Sequence, residues 1–75
     1  MDQKRFWDAT DLYEKALDIA PWWPEGHFNV ALIYGELGDY VDAVTEMQRY
    51  HLLAPKAADA RATQDKIYEW EGMIQ

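Results

Sequence analysis

The amino-acid sequence predicts an all-α fold of four antiparallel helices, stacked as successive helix-turn-helix units. Three observations predict it. Apolar residues recur at three- and four-residue spacing in four separate segments, the pattern of helices with one buried side. Pro21, Pro24, Gly38-Asp39 and Pro55 fall between those segments, where proline and glycine end or start helices. The chain also matches itself after a shift of 34 places, the separation of Pro21 from Pro55.

The first helix is expected from about residue 4 to residue 20, with Phe6, Ala9, Tyr13, Ala16, Leu17 and Ala20 as its apolar stripe. Asp2 stands where a cap would, and Pro21 marks the stop because the residue before a proline avoids the helical region. Trp7, Leu12 and Ile19 lie off the stripe. The connector Pro21-Trp22-Trp23-Pro24 then holds two indoles between two prolines. The indoles read either as an interface anchor or ligand shelf, or as a cover for the adjoining helix ends. A small core recruits its largest side chains first, which favours the cover.

A second helix is expected over about Pro24–Leu37. Pro24 suits the first turn, where a missing N–H costs nothing, and Glu25 meets the positive end of the helix dipole. His27, Val30, Ala31 and Tyr34 form one seam, whereas Phe28, Leu32 and Ile33 point elsewhere, so this helix needs several neighbours. Gly38 suits the left-handed residue past a helix end, and Asp39 can cap the third helix. That helix, about Tyr40–Ala54, offers Tyr40, Ala43, Val44, Met47, Tyr50 and His51 to the interior. Ala31 and Ala43 would let the two backbones approach closely, with Tyr34 and Met47 beside them.

The fourth helix is expected from Lys56 or Ala57 to Met73, with Ala60, Thr63, Ile67, Trp70 and Ile74 packed on the third. Arg61, Gln64 and Asp65 are polar where the second helix has His27, Val30 and Ala31, so no further helix is expected to cover them. Repeat arrays need such a polar terminal helix for solubility. The expectation is a single domain over residues 1–75 that forms the C-terminal part of a longer array.

The shift of 34 places lays Asp8 on Asp42, Ala9 on Ala43, Ala20 on Ala54, Pro21 on Pro55, Tyr34 on Tyr68 and Gly38 on Gly72, with Phe6 meeting Tyr40 in kind. A fixed period of that length marks a solenoid. From Pro24 to Pro55 the chain resembles one tetratricopeptide repeat, whose pattern is W-x2-L-G-x2-Y, A-x3-F, P. Tyr34, Ala43 and Pro55 coincide with it. His27 replaces the Trp, Val30 the Leu, Ala31 the Gly and Met47 the Phe. The chain then divides into half a repeat, one full repeat and a capping helix.

The resemblance implies a concave groove lined by the first helices of successive repeats, holding an extended peptide or a partner helix. By position this assigns Glu25, Phe28, Asn29, Leu32 and Glu36 from the second helix, with Asp59, Ala62, Thr63, Lys66 and Trp70 from the fourth. The Asn29 amide can both donate to and accept from a peptide backbone. Some relatives grip the terminal carboxylate of chaperone tails with Lys, Arg and Asn; Asp59 and Thr63 stand here in place of basic residues, which argues against that ligand. The uncovered first helix would expose parts of Phe6, Trp7, Tyr13 and Leu17, an edge suited to pairing with another copy. A purely structural role as the end of a larger scaffold is the alternative.

Composition narrows the field further. Fourteen acidic and seven basic side chains among 75 residues give a net charge of −7, which disfavours nucleic acid and anionic membranes as partners. Cysteine is absent, so disulfides and thiolate metal sites are excluded and the redox compartment stays open. No apolar run reaches the roughly 20 residues of a membrane span, and no targeting signal is visible. His27 and His51 are 24 places apart without a ligand-type neighbour, so no metal and no cofactor are expected. The carboxylates are expected on helix exteriors, where nothing raises them toward acid–base work, and no enzyme is expected. Gly26, Gly35, Gly38 and Gly72 fall at helix ends or close approaches and build no phosphate loop.

Overall fold

The computed structural model describes residues 3–74 and consists of four helices. These are α1 (Gln3–Ile19), α2 (Pro24–Glu36), α3 (Tyr40–Leu53) and α4 (Ala60–Glu71). No strand occurs among the described residues. Packing runs α1 on α2, α2 on α3 and α3 on α4. The slab measures 33 × 32 × 19 Å, so it is about two helix diameters thick.

The α2/α3 hairpin is the centre. Ala31 and Ala43 are both 0% exposed, and side chains this small let the two helices pack closely. Val30, Tyr34, Val44, Met47 and Tyr50 complete the seam, and Ile67 and Trp70 close it from α4. The turn between α2 and α3 depends on Gly38, whose φ of +80° is left-handed. Asp39 N donates to Tyr34 O at 2.9 Å and Gly38 N to Gly35 O at 3.2 Å. Those two bonds satisfy carbonyls that the helix end would otherwise orphan. Asp39 then accepts from Asp42 N, as the sequence suggests.

Several expectations are corrected by packing. The fourth helix starts at Ala60, three to four residues later than expected, because residues 55–59 form turns. Asp59, at its N-cap, accepts from the Tyr50 hydroxyl at 2.7 Å, which fixes the loop to α3. Its side chain makes no bond to the helix it precedes. Ile74 lies beyond α4 and is exposed, not packed on α3. Gly72 has φ −65°, so it does not repeat the left-handed turn of Gly38. Trp23 stacks on Tyr13 with ring centroids 6.2 Å apart, whereas Trp22 is 67% exposed. One indole covers the joint and the other faces water. Asp2 lies outside the described residues.

On α1 the most buried residue is Thr10, which sits on the stripe four residues after Phe6 and three before Tyr13. Its hydroxyl donates to Trp7 O at 2.7 Å, which satisfies it inside the helix. Phe6, Tyr13 and Leu17 are half-buried, and of the proposed N-terminal edge only Trp7 is exposed. Leu12 and Ile19 are the other large apolar side chains that α1 leaves in water. No helix among the described residues is long and apolar enough to cross a membrane.

Candidate functional site

Two grooves flank the central hairpin. The smaller, about 270 Å³, lies between α2 and α4 and is lined by Leu32, Gly35, Glu36, Tyr40, Lys66, Glu69, Trp70 and Met73. It arises where the Trp70 indole approaches Gly35 so closely that a Cβ there would stand 2.7 Å from the ring. Three pairs of positions 34 apart are among its lining residues: Leu32 and Lys66, Gly35 and Glu69, and Glu36 and Trp70. Lys66 Nζ sits 3.2 Å from Glu69 Oε2 and 5.9 Å from the Trp70 ring centroid, a cation held against an aromatic face.

The groove thus gathers Leu32, Glu36, Lys66 and Trp70 from the residues assigned by resemblance. The others lie elsewhere. Glu25 is exposed and Asn29 half-buried outside the groove. Phe28 packs on Tyr50 at 5.1 Å between centroids. Thr63 is buried, its hydroxyl donating to Ala60 O at 2.9 Å and accepting from His51 Nε2 at 2.7 Å.

The larger groove, about 660 Å³, runs between α1 and α3 with α2 as its floor. Its polar floor contradicts the expectation that every carboxylate lies on a helix exterior. Glu46 is 8% exposed and accepts from Arg49 Nη1 at 2.5 Å. His27 Nδ1 lies 2.6 Å from Glu46 Oε2, and its Nε2 lies 2.7 Å from Pro21 O. A carbonyl oxygen only accepts, so Nε2 carries a proton, and the bond to Glu46 contains a second. His27 thus makes a polar bridge between α2, α3 and the connector.

Beside it, the Tyr34 hydroxyl donates to Glu14 of α1. Burial and that bond hold the Tyr34 phenol well above its ordinary value, with Asp42 and Glu46 adding negative charge. Asp42 is itself raised, first by a hydrogen bond shared with Asp39. A periodicity rule that sorts residues by polarity passes over Glu46. The signal was its place on the seam, three residues after Ala43 and four before Tyr50.

These polar groups engage one another. Both His27 nitrogens are taken, Tyr34 is kept protonated, and no group of three or more His, Asp or Glu suited to a metal occurs among the described residues. The fold and its grooves define a small all-α helical stack. Comparisons with protein-family models, with curated proteins and with solved structures find no match.

Proposed function

We propose that this chain is a non-catalytic protein-interaction module of the tetratricopeptide-like kind, which holds a segment of a partner protein in the groove between α2 and α4. The observation behind this reading is that three pairs of positions 34 apart converge on that groove. Repetition along the chain becomes repetition across one surface, the way solenoids build their binding faces. Leu32, Tyr40 and Met73 offer apolar contact, and Glu36, Lys66 and Glu69 offer charges of both signs at its edge.

The non-catalytic reading is supported by the larger groove, where both His27 nitrogens are already engaged, by Glu46 and by Pro21 O. The test is selection of short displayed peptides on the full chain, with nuclear magnetic resonance mapping of those that bind. Saturable binding that shifts the amides of Leu32, Glu36, Lys66 and Trp70, and that Leu32→Arg abolishes, is the expected result. Failure to select any peptide mapping there favours the scaffold reading instead.

A further inference from the structure

The second groove, between α1 and α3, belongs to neither the repeat pattern nor the reading above. We infer that it is a docking trough for a cationic amphipathic helix from a partner protein. Its apolar lining is left partly uncovered. Leu17 and Val30 lie low in it, while Leu52 is 81% exposed and Leu53 lies beside it at the end of α3. Two adjacent leucines in water at the mouth of an open groove are surface that a partner can bury.

Charge selects the occupant. Glu14 and Asp18 stand along the α1 wall, and the only basic residue types among the described residues that line the groove are Arg49 and His27. Both of those are bonded to Glu46. The wall therefore presents carboxylates to anything entering, on a chain whose net charge is −7. Lysine or arginine flanking an apolar row complements it.

The shape selects a helix. α1 and α3 both run alongside α2, and a third rod fits such a trough by setting its ridge of side chains between theirs. The polar groups of the floor are already engaged: His27 with Glu46 and Pro21, and Tyr34 with Glu14. An extended strand would find no partners there for its backbone, whereas a helix satisfies its own. The apolar row then meets Leu17, Leu52 and Leu53, and the cationic flank meets Glu14 and Asp18.

The test uses the full chain and two synthetic helices of equal length. One has a leucine row flanked by lysine, and the other has the same row flanked by glutamate. The lysine helix is expected to bind saturably and to shift the amides of Leu17, Leu52 and Leu53, while the glutamate helix does not bind. Leu52→Asp and Asp18→Lys, both at exposed positions, are each expected to weaken binding about tenfold or more. Glu69→Lys in the other groove controls for general attraction to an acidic protein and is expected to change it little. Circular dichroism checks that each variant is folded. Equal binding of the two helices, equal weakening by Glu69→Lys, or sedimentation showing the trough filled by a second copy would each overturn the inference.

Discussion

His27 Nδ1 lies 2.6 Å from Glu46 Oε2 across the seam between α2 and α3, with both side chains buried. Removing Glu46 leaves the buried His27 Nδ1 without a hydrogen-bond partner, at a cost of about 1–3 kcal/mol. Glu46→Ala is therefore expected to lower the urea midpoint clearly. The double change His27→Leu with Glu46→Leu removes both buried polar groups and leaves only Pro21 O and Arg49, both on exposed residues that can turn to water, so it is expected to cost less than the single change.

Met47 is fully buried in the same seam. Met47→Ala is expected to cost about 2–5 kcal/mol through lost burial and the cavity left behind. A thermal melt followed by circular dichroism reads this directly. An unshifted midpoint would mean that Met47 is not in the interior.

Gly38 and Gly72 coincide under the 34-place shift but differ in backbone. With φ +80° at Gly38, Gly38→Ala places a Cβ in the left-handed region at a cost of about 1–2 kcal/mol. Gly72 is right-handed at φ −65°, so Gly72→Ala is expected to leave the melting temperature unchanged or raise it slightly. Equal effects at the two positions would contradict this difference.

Burial and the bond to Glu14 raise the Tyr34 phenol, and the bond to Asp59 raises that of Tyr50. A group whose pKa is raised on folding binds its proton more tightly in the folded state. Its contribution is complete below the unfolded value, about 10 for tyrosine, and is lost as pH rises beyond it. Stability is thus expected to fall above about pH 10. Tyr34→Phe should flatten that fall in urea titrations at successive pH values. An unchanged alkaline slope in Tyr34→Phe would remove this tyrosine as its source.

Gly35→Ala tests how α4 is held. The added Cβ would stand 2.7 Å from the Trp70 indole, and overpacking of this kind costs about 1–3 kcal/mol. Trp70 must move, so altered amide signals are expected in α4 together with the lost stability. Unaltered signals for Ile67 and Trp70 would contradict the close approach.

Residue order alone determined the helical class, the central hairpin and its turn, because these rest on local chemistry. Small residues at Ala31 and Ala43, a left-handed glycine at Gly38 and the capping Asp39 specify their structure within a few neighbours. Leu32, Glu36, Lys66 and Trp70 line one groove together with Gly35, Tyr40, Glu69 and Met73. Asn29, Phe28 and Thr63 were not separable from them, because the face a helix presents depends on its neighbours.

Tertiary structure alone decided where polar groups are buried and where apolar ones are left out. Glu46 turns inward because His27 and Arg49 meet it from α2 and from the next turn of α3. Tyr50 holds Asp59 and thereby fixes where the last helix starts. Trp22, Leu52 and the open trough exist because helices touch only where their outlines fit. Fit between distant surfaces is a property of the assembled chain, and no local pattern of residues states it.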